Sequence, residues 1–443
     1  VESYLARINY GFKSRYYIDA SWRTDGSSRF HPSDRWGHFW SVGASWRISE
    51  EQFMENTRQW LDNLTLKVSY GVQGNDNLGT YYAWQGLYDY TWPNATDAGA
   101  FVDKLENRKV TWEKNGNLNA GIEATMFGGR LGVSVEYYNR KTRDMLLNSP
   151  LPISTGFTGF NDNVGSLRNQ GLEVSLRGTI LDKRDFRWDA TLMGSFNRNK
   201  VLSLTGGQDV ITSGIRVIEV GRPIYTFYLP KTAGVDPATG KQLYYAYWTQ
   251  TVNDEGTLVN TRCDEYITDN VAMATLSKYY HESREPKLFG SIGSTFTILK
   301  NIDVSFLTTY SIGGWVYDGL YNGSMYVQYA GNNWHKNAKR RWQKPGDKTD
   351  VPMLEVGGSY ATTSNSLIDA SYFAIKNITV GYTLPKRWLK KIDIESLRIY
   401  ATLDNIAMFN HMDGMDPQYN FTGSVAYSYT PSRVIAFGID LNF

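Results

Sequence analysis

Strict alternation of apolar and polar residues recurs along this 443-residue chain and constrains its fold more than any other feature. In the final segment, alternate positions from Ile435 to Phe443 are apolar, and the positions between them are small or polar. A period of two is that of a β-strand, because successive side chains point to opposite faces. About thirteen segments have this pattern: roughly 3–13, 16–27, 38–49, 63–74, 113–127, 130–146, 169–181, 186–204, 287–299, 302–318, 372–386, 396–410 and 434–443.

The lengths of these segments and of their connections favour a membrane barrel. Most segments exceed the length of ordinary soluble strands and supply the ~9–11 residues that a tilted membrane strand needs. Short turns, such as 13–15 and 300–301, alternate with long connections. The long connections lie at about 28–37, 75–112, 147–168, 205–286, 319–371 and 411–433. Short turns on one side and long loops on the other are typical of outer-membrane barrels.

Alternation also fits a soluble sandwich, in which the apolar face points inward and the polar face meets water. The polar face of these segments is rich in Gly, Ser, Thr, Asn and Asp rather than Lys and Glu, as expected for a wet or filled lumen. The chain contains no uninterrupted apolar run of about 18 residues that would indicate a membrane helix. We therefore predict an all-β fold, a transmembrane antiparallel β-barrel, ahead of a sandwich or a propeller.

Composition and motifs exclude several functional classes. The 46 basic and 44 acidic residues give a net charge of +2, which offers no electrostatic reason to bind nucleic acid. The single cysteine, Cys263, excludes a disulfide within the chain. The Walker A, H-E-x-x-H and G-x-S-x-G motifs are missing, and the five histidines are dispersed. We expect no enzymatic activity, no cofactor and no metal site.

The parity of the strands bears on how the chain is oriented. If the C-terminus is periplasmic, every short turn is also periplasmic and every long loop is extracellular. About thirteen strands would then begin and end in the same direction, whereas bacterial single-chain barrels have even numbers of strands. The sequence also begins without Met. We therefore expect residues 1–443 to be the C-terminal portion of a longer barrel whose N-terminal strands are absent from this chain.

Several short motifs follow one another in a recognisable order. They are RTDGSSRF at 23–30, WGHFWSV at 36–42, ASWRI at 44–48, YYNRKTRD at 137–144, NQGLE at 169–173, GRPI at 221–224, GVDPATG at 234–240 and YFAIKNITVGY at 372–382. Together they resemble the C-terminal half of the barrel of SusC/RagA-type TonB-dependent transporters of Bacteroidetes. No single motif is decisive, but the order is kept across essentially the whole chain.

The resemblance implies a plugged barrel of about 22 strands, with a plug domain and a TonB box that this chain lacks. It implies active import of an oligomeric nutrient, glycan or peptide, across the outer membrane by a SusCD-type complex. The implied partners are a SusD-like surface lipoprotein, TonB–ExbB–ExbD, the remaining N-terminal half, outer-membrane lipid and lipopolysaccharide, and a second SusCD unit in a dimer. A passive porin or autotransporter-type barrel and a soluble all-β carbohydrate-binding protein are the alternatives.

Aromatic residues on the long loops are the candidate contacts for substrate or partner, because aromatic rings stack on sugars and anchor protein interfaces. They are Tyr81, Tyr82, Trp84, Tyr88, Trp92, Tyr245, Trp248, Tyr326 and Trp334. Alternatively, such rings form local cores beneath the loops. Arg23 and Asp25 are candidates to face the lumen or plug, unless their charges pair within the wall. By resemblance, the terminal Phe443 looks like the signal read by the barrel-assembly machinery.

Overall fold

One antiparallel sheet of thirteen strands dominates the structure. The computed structural model describes residues 1–93, 95–97, 99–204, 209–325, 333–355, 360–390, 394–412, 414–418, 421–425 and 429–443. We number the strands of this wall β1 Glu2–Phe12, β2 Tyr16–Gly26, β3 Trp36–Arg47, β4 Leu61–Asn75, β5 Glu113–Met126, β6 Leu131–Arg143, β7 Ser166–Lys183, β8 Phe186–Ser203, β9 Leu288–Ile298, β10 Ile302–Ile312, β11 Tyr372–Thr383, β12 Ser396–Asn410 and β13 Val434–Asn442. Each strand pairs with the next in this order, so the wall has no crossovers. The prediction of an all-β chain with thirteen long strands is confirmed.

The pairing register keeps one face of the wall apolar from strand to strand. Ile8 lies opposite Ala20, Ala20 opposite Val42, and Val42 opposite Tyr70. The neighbouring row is polar or small, because Asp19 lies opposite Gly43 and the pairing continues through Ser69 and Asn119. A register slip of one residue would exchange the two faces, so the alternating sequence specifies the pairing.

The apolar face of the wall is exposed and the polar face holds the buried side chains. On strands with neighbours on both sides, Ile122 is 49% exposed and Val380 is 45% exposed, whereas Thr65, Asn115 and Thr142 on the other face are buried. A soluble sandwich would bury the apolar face. The arrangement is that of a wall with lipid outside and polar groups inside, which favours the barrel over the soluble alternative.

The predicted strand 302–318 is interrupted. β10 ends at Ile312, and the chain resumes as a separate strand, Trp315–Asp318, that pairs with Leu367–Asp369 outside the wall. Gly313 and Gly314, both with φ near +80°, separate the two pieces (φ 79° and 81°). A left-handed backbone at two successive residues turns the chain out of the sheet, and only glycine adopts it at little cost.

The connections at one end of the wall are short turns or short helices. The turn 13–15 joins β1 to β2, and Gly128 and Gly129 turn between β5 and β6 with positive φ. Between β3 and β4 the chain forms two short 3₁₀ helices, Ile48–Glu50 and Gln52–Thr57. Within the described residues, every helix is too short or too polar to cross a lipid bilayer.

An ion-pair ladder links three of the last four strands, β10, β12 and β13, on the polar face. The Arg398 guanidinium of β12 donates to the Asp303 carboxylate of β10 at 2.6 and 3.0 Å, and to Asp440 of β13 at 3.3 Å. It passes over β11 at Gly381, where an added Cβ would lie 2.5 Å from Asp303 Oδ1 and 2.6 Å from Arg398 Nη2. The guanidinium also lies 4.7 Å from the centre of the Tyr400 ring. Glycine at 381 therefore leaves room for one cation to bridge two carboxylates.

We predict that Arg398→Gln weakens the attachment of β13 to the neighbouring strands of the wall. The change removes the charge that links β10, β12 and β13 and leaves two carboxylates near one another, at a cost of about 1 kcal/mol for a partly exposed network. The full-length protein in detergent should lose its compact mobility on SDS gels at a lower temperature.

Arg108→Gln is the matched control, because Arg108 pairs with Glu106 on an exposed loop. It should leave the transition temperature unchanged. Equal transition temperatures for the Arg398 and Arg108 variants would refute the stabilising role of the ladder.

Candidate functional site

The long loops fold into small sheets at the other end of the wall. The loop between β8 and β9 contains a four-stranded sheet of Val210–Ser213, Arg216–Glu219, Thr226–Pro230 and Lys278–Ser283. It also contains a three-stranded sheet of Thr232–Val235, Gln242–Val252 and Leu258–Thr268, and the helix Val271–Leu276. We call the four-stranded unit the loop sheet. These units give the long loop an internal framework that can position side chains.

The loop sheet shares a hydrophobic core with the loop between β10 and β11. Phe227 and Leu229 of the loop sheet are fully buried against Tyr317, and Trp315 and Leu367 pack at the margin of this cluster. The two loops are more than 80 residues apart in sequence at these contacts. Apolar burial therefore fixes one long loop against another.

An open cavity of about 550 Å³ lies between these two loops, within the usual size of ligand sites. We call it the interloop cleft. Its lining residues are Arg222, Pro223, Thr226, Tyr280, His281, Glu282, Ser283, Trp315, Ser364 and Leu367. Six of the ten lining residues are polar or charged, and the other four, which include Trp315 and Leu367, supply apolar surface. The cleft therefore offers a ligand both hydrogen-bonding groups and apolar contacts.

Arg222 is held in a fixed position at the cleft. Its Nε donates to Glu219 Oε2 at 2.6 Å, and its guanidinium lies 3.7 Å from the centre of the Tyr280 ring. The Tyr280 ring in turn packs 4.9 Å from that of Tyr228. Burial, followed by hydrogen bonding to Glu219, raises the pKa of Tyr280 above its usual range. Stacking and the ion pair together orient the guanidinium before any ligand arrives.

His281 lies on the same strand as Tyr280, Lys278–Ser283. Burial lowers the pKa of its imidazole below the usual value. The Nε2 atom lies 3.2 Å from the carbonyl oxygen of Leu229, and a protonated Nε2 donates to it. The bond anchors His281 to the neighbouring strand of the loop sheet.

The aromatic residues predicted on the loop between β4 and β5, residues 76–112, divide into exposed and packed rings. Tyr81, Tyr82, Tyr88 and Trp92 are exposed, and Arg29 stacks 4.8 Å from the Tyr81 ring. Trp84 is half-buried and meets His31 edge-on at 5.1 Å, beside the cluster of Phe30, Phe39, Val110 and Trp112. The first four are therefore available for contacts, whereas Trp84 supports a local core.

The other predicted aromatic residues are scattered. The Lys231 ammonium lies 4.3 Å from the Tyr245 ring, and Trp248 is half-buried in the three-stranded sheet. Trp334 lines a small cavity with Met325 and Ala338, and Tyr326 lies outside the described residues. None of the described candidates lines the interloop cleft.

Arg23 and Asp25 pair with each other, since Arg23 Nε donates to Asp25 Oδ1 at 2.7 Å. Both lie on the polar face of β2 by register, and Asp25 is buried. Phe443 follows β13 directly and is exposed. Contacts of these three residues with a plug or with assembly machinery remain predictions.

Sequence reasoning missed the residues that form the cleft. Arg222 belongs to the Gly-Arg-Pro-Ile motif at 221–224, which could have indicated it. Tyr280, Trp315 and Leu367 carry no such signal, because they come from separate loops and meet only in the folded chain. In the described part of the chain, no three His, Cys, Asp or Glu side chains are grouped so as to hold a metal ion.

Residues 2–406 match the family described as TonB dependent receptor-like, beta-barrel. The chain belongs to this family. The receptor SusC of Bacteroides thetaiotaomicron is 29% identical over 457 residues, covering 100% of this chain and 43% of SusC. A TonB-dependent receptor of Formosa agariphila is also 29% identical, covering 100% of this chain and 46% of its own length.

Among solved structures, the RagAB peptide transporter is similar with a TM-score of 0.84 and 30% identity, covering 100% of this chain and 47% of that chain. The resemblance to SusC/RagA-type proteins is thereby confirmed. This TonB-dependent receptor chain spans less than half the length of these relatives. Its wall is part of an outer-membrane β-barrel, and the polar face is the lumen face. The family and its neighbours are receptors and transporters rather than enzymes.

We predict that Trp112→Ala releases the loop between β4 and β5, residues 76–112. Trp112 packs 5.4 Å from Phe30 and 5.3 Å from Phe39, and its Nε1 donates to the carbonyl of Arg35 at 2.9 Å. Truncating a buried tryptophan costs ~3–5 kcal/mol. Limited proteolysis of the full-length protein in detergent should cut residues 76–111 faster.

Trp92→Ala is the control, because Trp92 is 66% exposed on the same loop. Its cleavage rate should match that of the unsubstituted protein. Equal cleavage of both variants would show that Trp112 does not fix the loop.

Proposed function

We propose that this chain supplies wall and loops to a transporter that imports an oligomeric nutrient, glycan or peptide, across the outer membrane. The observation that carries the proposal is a β-sheet whose apolar face is exposed, in a chain that matches the TonB-dependent receptor family. A cleft lies between two of its long loops. The wall isolates a polar lumen from lipid, and the cleft offers a place to hold substrate beside it. Residues 1–443 would form the C-terminal portion, with the plug domain outside this chain.

The proposed energy source is TonB with ExbB and ExbD, acting through the part of the protein that precedes this chain. The family name and the names of the relatives support this. The C-terminus would then be periplasmic and the long loops extracellular.

The proposed partner is a SusD-like surface lipoprotein that covers the long loops, and two such units would form a dimer. The exposed rings of Tyr81, Tyr82, Tyr88 and Trp92 are suited to a protein interface, where tyrosine and tryptophan are enriched. The basic run Lys339-Arg340-Arg341 fits a solvated loop face better than a site for lipopolysaccharide phosphate, because Arg340 is already paired to Asp350 at 3.2 Å.

We predict that uptake through the full-length protein requires TonB, because a plugged lumen needs work to open. Cells that express the protein should accumulate labelled oligomer, and removal of TonB should reduce the rate to that of cells lacking the transporter. Affinity purification from the same cells should recover a surface lipoprotein. Uptake that persists without TonB would indicate a passive porin instead.

We predict that replacing Phe443 with Ala lowers the amount of assembled barrel. The residue ends an alternating strand whose apolar side includes Ile439 and Leu441 and faces outward. Heat-modifiable protein in outer-membrane fractions measures assembly, and Phe443→Trp, which keeps an aromatic terminus, should assemble normally. Normal amounts of the Ala variant would count against the signal.

A further inference from the structure

Two strand edges without a partner meet at the interloop cleft. Lys278–Ser283 is the last strand of the loop sheet, and Leu367–Asp369 is the last strand of the small sheet that contains Trp315–Asp318. Among the described residues, no further strand pairs with the outer edge of either one. Tyr280, His281, Glu282 and Ser283 from the first edge and Leu367 from the second line the cleft.

An unpaired strand edge carries free backbone N–H and C=O groups, which bind an extended chain by strand addition. Natural proteins often cover such edges or shorten them. The edge Lys278–Ser283 is covered at its start, where the Tyr247 hydroxyl donates to the carbonyl of Lys278 at 2.6 Å. From Tyr280 onward the strand borders the open cleft. At about 3.3 Å per residue, the strand offers room for a short extended segment.

The side chains around these edges can contact the side chains and the carbonyl or carboxylate oxygens of an extended peptide. Trp315 and Leu367 form an apolar surface that packs on the core of Phe227 and Leu229. Every second side chain of a bound peptide can pack against this surface. Arg222 uses Nε for Glu219, and its two terminal nitrogens have no hydrogen-bond partner among the described residues. A guanidinium edge of this kind donates two parallel hydrogen bonds to the two oxygens of a carboxylate, or a single hydrogen bond to a carbonyl oxygen.

We propose that the interloop cleft is a peptide-binding subsite, in which an extended peptide adds to the edge of Lys278–Ser283 and Arg222 binds one of its carbonyl or carboxylate oxygens. The inference rests on the proposed import function and names peptides as its substrate class. Sugar hydroxyls can bond to single backbone groups, but a sugar has no repeating amide and carbonyl groups with which to add as a strand to this edge.

Binding to the detergent-purified full-length complex tests the subsite independently of transport. A tryptic digest of casein and a mixture of neutral malto-, xylo- and manno-oligosaccharides are each incubated with the complex, and retained molecules are identified by mass spectrometry. Peptides should be retained and oligosaccharides should not. The best-retained peptide is then synthesised with and without N-methyl groups at alternate backbone nitrogens. N-methylation in the register that faces the edge should reduce affinity at least tenfold, since it removes donors that only strand addition uses.

Arg222→Gln should reduce peptide affinity about tenfold, and Arg222→Lys, which keeps a cation, should lose less. Arg262→Gln is the matched control, because Arg262 stacks 5.3 Å from the Tyr247 ring in the same long loop but does not line the cleft. It should bind peptide normally. Compact mobility on SDS gels confirms that each variant is assembled.

The outcomes separate the two proposals. Equal binding of methylated peptides in both registers, or retention of oligosaccharides that depends on Arg222, would overturn the peptide subsite while leaving TonB-dependent import intact. Retention of neither probe by a complex that still supports TonB-dependent uptake would also overturn it. Peptide binding could depend on Arg222 while uptake does not require TonB. That result would support the subsite and contradict the TonB-dependent transport mechanism.

Discussion

The need to pair every backbone amide and carbonyl in a lipid environment is the constraint on which this structure depends. Hydrocarbon offers no hydrogen-bond partner, so a spanning sheet must satisfy its backbone by strand-to-strand pairing. The wall meets this need inside the sheet, where each of the thirteen strands pairs with the next along the chain. Among the described residues, the outer edges of β1 and β13 have no partner strand. With the backbone paired in this way, the apolar side chains are free to face outward, as Ile122 and Val380 do.

The inward face must then accommodate polar groups without bulk water on every side. Cross-strand pairs supply partners, as in Lys67 with Glu123 and Arg398 with Asp303 and Asp440. Small residues supply space, because Gly381 lies beneath the Arg398 ladder and Gly43 beside the Asp19 carboxylate. The abundance of glycine on the polar face thus has a packing reason, which the composition alone does not reveal.

The loops are stabilised in a different way. They are surrounded by water, so the burial of their apolar rings stabilises them. Their cores join segments distant in sequence, such as Phe227 with Tyr317 and Phe30 with Trp112. These cores position the interloop cleft and hold Arg222 near Trp315 and Leu367. The family relation identifies the barrel, but the cleft depends on how two loops of this chain pack against each other.

The sequence by itself determined the wall. Its period of two located all thirteen strands, because a strand and the face on which each of its side chains lies follow from local alternation. The same alternation specifies the pairing between neighbouring strands. It misplaced the end of β10, where Gly313 and Gly314 turn the chain out of the sheet. Tertiary structure alone decided which aromatic rings pack, as Trp84 does, and which stay exposed, as Trp92 does. It also brought Arg222, Tyr280 and Leu367 together, since loop packing depends on long-range contacts that no local pattern encodes.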